Sequence, residues 1–142
     1  MNPPSLISAD LVQAYCETDF RVEAPEPFTL KVGRVSEALQ GLYRLHGCHS
    51  AGYVTACNPY SEEATPEQNN AAQARLEEDL RLRSLTFLPG VGQHPSQQWP
   101  GEPSFLLLGL SREASKTLGQ DWGQNAIVWC GADAVPELVL LR

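Results

Sequence analysis

A chain of 142 residues with 17 acidic and 10 basic side chains, a net charge of −7 and 42% apolar residues has the composition of a folded domain, not of a disordered tail. By surface scaling, a chain of this length buries roughly 68–70% of its unfolded surface, enough for a core without disulfides or a structural metal. The acidic balance excludes a large electrostatic footprint for nucleic acid, which needs clustered cations, whereas Lys31 and Lys116 are the only lysines.

Residues 1–27 read as an N-terminal arm. Pro3, Pro4, Pro25 and Pro27 flank a short helical signal in which Ser8 caps Leu11, Val12 and Tyr15. Phe28-Thr29-Leu30-Lys31-Val32 alternates apolar and polar and predicts a strand ending at Gly33. Ser36 opens a helix with Leu39, Leu42, Tyr43 and His46 on one stripe, and Gly47 closes it. The small and β-branched run 50–57 predicts a buried strand stopped by Asn58-Pro59. Thr65-Pro66-Glu67-Gln68 is a capping box with proline at the first helical position, and its helix should run to about Arg83.

Leu85 to Leu88 predicts a short strand broken by Pro89-Gly90, followed by a turn-rich stretch to Gly101 in which Trp99 is expected to lie as a lid over the core. Pro103 is expected to precede a strand over 104–110, with further strands over 126–130 and 137–141 and a helix capped by Ser111 between the first two. The result is a single α+β domain over residues 1–142, a mixed sheet of about five to six strands packed with three to four helices. Its first two crossovers suit parallel neighbours and its last two strands a hairpin.

The first fifteen residues lack a basic segment followed by an apolar core, and the longest apolar runs, such as Phe105 to Leu108, are too short to span a bilayer. A cytoplasmic protein is expected, with no membrane and no nucleic-acid partner and an oligomeric state the sequence leaves open. Cys16, Cys48, Cys57 and Cys130 are irregularly spaced and are expected to be four thiols. His46, Cys48, His49 and Cys57 match no closed zinc pattern, so neither metal nor cofactor is expected, and His46 suits the negative end of its helix. Gly90-Val91-Gly92 lacks the third glycine and following helix of a dinucleotide site, and no nucleophile signature such as GxSxG is present.

The segments Thr55-Ala56-Cys57-Asn58-Pro59, Thr65-Pro66-Glu67 and Trp122-Gly123-Gln124-Asn125-Ala126-Ile127-Val128-Trp129 together resemble a bacterial family of uncharacterised proteins, the domain of unknown function 3293, with similarity extending from Tyr15 to Arg142. The resemblance implies a bacterial single-domain protein and brings no established activity. The family often carries an aromatic residue where Cys57 stands, which argues against a nucleophilic Cys57. It often has one at Trp122 too, which fits packing.

Five amides are the candidate ligand-binding residues. Asn58 sits at the carboxyl end of a strand, where open α/β sheets gather ligands, although asparagine also makes side-chain turns routinely. At 100° per residue Asn69 falls between Leu76 and Leu80 and Gln73 lies close by, so both occupy the inward stripe of their helix as ligand contacts or as a structural polar network. Gln124 and Asn125 precede a strand that starts at the same end of the sheet if it runs antiparallel to the Asn58 strand. The expectation is a small polar or anionic ligand in an amide-rich cleft. The alternatives are a small hydrolase or transferase using a carboxylate near Asn58, such as Glu62, Glu63 or Glu67, and a protein–protein interaction module. The sequence assigns no catalytic residue.

Overall fold

The computed structural model describes residues 7–142; Pro3 and Pro4 of the arm lie outside them. In chain order the elements are α1 (Ala9–Glu17), β1 (Asp19–Val22), β2 (Phe28–Leu30), α2 (Glu37–His46), β3 (Ala51–Val54), a single turn at Pro59–Ser61, α3 (Pro66–Leu82), β4 (Thr86–Gln93), β5 (Glu102–Leu108), α4 (Arg112–Asp121), β6 (Ala126–Cys130) and β7 (Pro136–Leu140). Local chemistry sets the helix starts. Ser8, Ser36 and Ser111 each accept the N–H three residues on, and Thr65 and Gln68 close their reciprocal capping box. Gly47 ends α2 in the left-handed region at φ 65°, where a side chain would be strained.

The sheet has seven strands in the order β2-β1-β4-β5-β3-β6-β7, and every neighbouring pair is antiparallel. Both the expected strand count of five to six and the expected mixed sheet are therefore corrected. The additional strand is β1, within the arm: Phe20 and Val22 alternate with Asp19 and Arg21 between β2 and β4. The crossovers β2–α2–β3 and β3–α3–β4 do join strands of the same direction, as a helical connection suits. Other strands stand between them, β5 separating β3 from β4, so no parallel ladder forms.

Two prolines expected to break or precede strands lie inside them. Pro89 continues β4 because its carbonyl accepts from Glu23 N–H at 2.8 Å, which turns its nitrogen to the same side, just beyond the point where β1 pairing ends at Val22 opposite Gly90. Pro103 in β5 faces past the end of β3 in the same way, its carbonyl taking the Thr55 hydroxyl at 2.7 Å. Neither proline removes a β4–β5 ladder hydrogen bond, and the bond Pro89 forgoes is the reciprocal one to Glu23 O, where the β1 ladder ends.

Strand alternation divides the core between the two faces of the sheet. Leu106 and Leu108 of β5 join Tyr53, Val128, Val22 and Leu30 beneath Leu39 and Tyr43 of α2. Phe105 and Leu107 join Val54, Ile127 and Val139 beneath Leu76 and Leu80 of α3 and Leu118 of α4. The sheet curls around the α2 face. Tyr53 of β3 donates to the Arg21 carbonyl of β1 at 2.7 Å, three strands away, and packs edge-on to Phe20 at 5.3 Å. The segment after β2 reaches the opposite edge, where Gly33 N–H donates to Pro136 O and Ser36 N–H to Ala134 O.

Gly90 is the position this curl depends on, since a Cβ there would collide with the Arg21 carbonyl and lie 2.7 Å from the Tyr53 hydroxyl. Gly90→Ala is expected to destabilise by about 1–3 kcal/mol through overpacking against backbone. Urea unfolding measures it, and a loss within the scatter of surface substitutions would mean that β1 does not close over Tyr53.

Candidate functional site

Because β3 and β6 are antiparallel neighbours, with Tyr53 opposite Val128, the carboxyl end of β3 and the start of β6 lie at one end of the sheet. All five candidate amides gather there. After β3 the backbone turns sharply through three non-glycine residues in the left-handed region, Asn58 (φ 45°), Tyr60 (φ 58°) and Ser61 (φ 59°). Such residues cost of order 1–3 kcal/mol each and persist only where surrounding contacts hold them.

The amides are those contacts. Asn58 Oδ1 accepts from Ala64 N–H and from Asn69 Nδ2, both at 2.9 Å, while Asn69 Oδ1 accepts from Asn58 N–H at 2.8 Å. Asn69 thus grips Asn58 from both sides, and Asn58 closes the loop over six residues. One turn further along α3, Gln73 Oε1 accepts from Ala56 N–H at 3.1 Å. Gln124, 8% exposed, donates to the carbonyls of Cys57 and Trp122. Asn125, 6% exposed, donates to Ser61 Oγ at 3.0 Å and accepts from Arg142 at 3.1 Å. Ser61 connects the two groups, its N–H donating to Asn58 O and its hydroxyl pairing with Tyr15 of α1 at 2.6 Å.

Residues that sequence reasoning passed over complete the corner. Asn58 Nδ2 donates to Glu102 Oε2 at 3.1 Å; Glu102 opens β5 and is half-buried. Burial pushes its carboxyl above the ordinary range, a shift that the Asn58 hydrogen bond partly opposes. Its second oxygen takes no hydrogen bond among the described residues. The one sequence signal for Glu102 is an acidic residue between Gly101 and Pro103 at the head of an apolar strand. Gln73 Nε2 is the complementary case, a buried donor with no acceptor among the described residues. Asn58 and Asn69 each have a second Nδ2 hydrogen beyond the one their hydrogen bonds consume.

Cys57 is 2% exposed and its thiol is pushed up, first by burial and then by Glu102, while its Sγ faces the Pro103 carbonyl at 3.7 Å. It is therefore a protonated, inward-facing thiol and a poor nucleophile. Burial likewise pushes Cys130 up to about 12, and all four cysteines are unpaired. Cys48 and Cys57 lie beyond opposite ends of β3, and His46 and His49 are exposed, so the four soft ligands do not converge. Among the described residues no group of three or more His, Cys, Asp or Glu could hold a metal.

The amides are held by hydrogen bonds to one another and to the backbone and side chains around them. Two surface depressions, of about 440 and 340 Å³, have none of the five amides in their lining, one being lined by Arg75, Leu82 and Trp122 among others, the second by Gln40, Tyr43, Arg44, His49 and Ala132. Glu62, Glu63 and Glu67 are exposed, and Glu67 stands in the first turn of α3, where the helix dipole accounts for it. Trp99, expected as a lid over the core, is instead 52% exposed and packs edge-on to His94 at 4.9 Å. The other large exposed apolar side chains among the described residues are Val35, Leu45, Tyr60, Leu82 and Leu140, each on a different segment of the chain.

Fold and site together define an α+β protein whose curled antiparallel sheet ends in an amide-pinned, left-handed turn beside a half-buried carboxyl. The family described as Protein of unknown function (DUF3293) matches residues 54–127, just over half of the chain and narrower than the Tyr15-to-Arg142 extent of the resemblance, and the chain belongs to that family. The matched segment runs from the end of β3 to the start of β6, so it contains all five amides and Glu102. No curated protein and no solved structure matches the chain. No helix among the described residues is long and apolar enough to cross a membrane.

Proposed function

We propose that the corner formed by Asn58, Asn69 and Glu102 binds a small amide- or hydroxyl-bearing ligand, with Gln73, Gln124 and Asn125 holding the turn that presents it. The observation that carries this reading is the open Glu102 oxygen, an acceptor left over beside the Asn58 and Asn69 side-chain oxygens, which are both engaged. Next to it the second hydrogens of the Asn58 and Asn69 amides supply donors, so a group with both a donor and an acceptor is matched on each side. A half-buried carboxyl with one oxygen left open is the kind of group that functional sites use.

The test is a titration of labelled protein with acetamide, glycinamide and glucose, followed by the side-chain NH2 resonances of Asn58 and Asn69. These two pairs are expected to shift together and saturate, and Glu102→Gln, which turns an acceptor edge into a donor, is expected to abolish the shift. If none of the three compounds moves them, or if Glu102→Gln responds as the wild type does, the reading fails.

The same substitution carries a stability signature. A carboxyl whose folded pKa lies above its unfolded value contributes stability that is present below the unfolded pKa and lost as pH rises through the folded one. Glu102→Gln retains a carbonyl acceptor for Asn58 Nδ2 and has no charge to desolvate. It is therefore expected to be more stable than wild type at pH 7, the difference shrinking as the solution is acidified. Thermal unfolding across that range reads it out.

A second reading, a hydrolase or transferase, is favoured by one feature: Glu102, raised in the same corner, is a carboxyl suited to proton donation. A substrate of that enzyme would be turned over, whereas the ligand of the first reading would be recovered unchanged.

A further inference from the structure

At the same end of the sheet, in the connection from β4 to β5, a second polar constellation stands apart from the amides. His94 follows β4 directly and its side chain is only 16% exposed. Its Nδ1 lies 2.8 Å from Ser96 Oγ, and its Nε2 lies 3.3 Å from Oε1 of Glu17, the last residue of α1. The backbone N–H of Ser96 also donates to Nδ1, at 3.2 Å. Nδ1 is therefore the unprotonated nitrogen, the ring proton sits on Nε2 facing the Glu17 carboxylate, and the Ser96 hydroxyl donates its proton to Nδ1. The loop is braced around this arrangement. Gln93 Nε2 donates to the Trp99 carbonyl at 2.8 Å, Gln97 N–H donates to His94 O, and the Trp99 ring stands edge-on against the imidazole.

A hydroxyl held by a base that is itself oriented by a carboxylate is the arrangement that activates serine as a nucleophile, whatever the fold. We propose that Ser96 is an activated serine that accepts acyl groups from small activated carboxylic esters, with His94 as its base and Glu17 as a positioning residue. In the step, Ser96 Oγ forms a bond to the acyl carbon and its proton passes to His94 Nδ1. The bond to the leaving alkoxide breaks, and that alkoxide takes the proton from His94 and departs as the alcohol. Water, deprotonated by the same imidazole, then releases the acyl group as the acid. Trp99, half exposed and edge-on to the imidazole, offers the acyl chain an apolar platform against His94. The N–H groups of Ser96, Gln97 and Gln98 are all engaged within the loop, so no oxyanion cradle stands ready and substrates with good leaving groups are the ones served.

A fluorophosphonate probe tests this on the full chain, since it needs only the activated hydroxyl: the P–F bond breaks, the Oγ–P bond forms and the proton leaves with fluoride. The expected result is one adduct per chain, mapped by peptide mass spectrometry to Ser96 and absent from Ser96→Ala. In His94→Gln the labelling rate should fall by about a hundredfold or more, the scale of general-base assistance. Glu17→Gln is expected to lower the limiting rate of labelling at saturating probe while leaving the probe concentration for half-maximal rate unchanged, because the imidazole loses the carboxylate that orients it, a split a merely structural glutamate would not produce. Circular dichroism of each variant confirms that the fold is retained. An unlabelled Ser96, or a Ser96 labelled as fast in folded His94→Gln as in wild type, overturns the proposal; an unchanged limiting rate in Glu17→Gln removes Glu17 from it.

Discussion

Leu80→Ala is expected to lower the unfolding free energy by about 2–5 kcal/mol, the range for truncating a fully enclosed leucine. Leu80 is 0% exposed and stands in the cluster where α3 meets Val54, Phe105, Leu107 and Ile127. Removing its isobutyl group forfeits the transfer energy of the buried carbons and leaves a void that three strands and a second helix cannot close. Leu82, two residues on, is 76% exposed, so Leu82→Ala is the control and should stay within about 0.5 kcal/mol of wild type. Urea midpoints with an unchanged slope would measure both. Equal losses for the two variants would place α3 in a different rotation about its axis.

The phase of α3 was legible in the sequence because a capped amphipathic helix declares its own ends and its own stripe, and Asn69, Gln73, Leu76 and Leu80 follow from one 100° rotation. The four helix starts have the same local cause. The sheet is different. Nothing near β3 in sequence says that β5, some fifty residues later, enters between β3 and β4, so strand directions could be read from the crossovers but strand partners could not. Pro89 and Pro103 misled for a related reason, since a proline's effect in a strand depends on which neighbour its nitrogen faces. The amide corner was legible as a gathering of Asn58, Asn69, Gln73, Gln124 and Asn125 because their positions follow from helix phase and strand ends. Glu102 was not, because its role arises from the Asn58 amide reaching across from a different part of the chain.

Asn58→Ala should be among the most damaging single changes at this corner, costing about 2–4 kcal/mol. Two terms add. An alanine at φ 45° is strained by roughly 1–2 kcal/mol relative to a residue at home in the left-handed region. The lost amide also leaves Ala64 N–H and Asn69 Nδ2 without their shared acceptor and Glu102 without its donor, each in a half-buried setting that water repays only in part. Asn58→Gly removes the same amide but tolerates the backbone, so it should retain about 1 kcal/mol more stability than Asn58→Ala. The ordering asparagine, glycine, alanine in denaturant midpoint separates the two causes. If glycine and alanine fall together, the left-handed geometry contributes nothing; if glycine equals asparagine, the hydrogen bonds do not hold the turn. Loss of Asn58 should also release Ser61, whose N–H bonds the Asn58 carbonyl and whose hydroxyl meets Tyr15 and Asn125. Faster amide exchange through 58–64 than in α3 would then show the turn opening as a unit while the core stays closed.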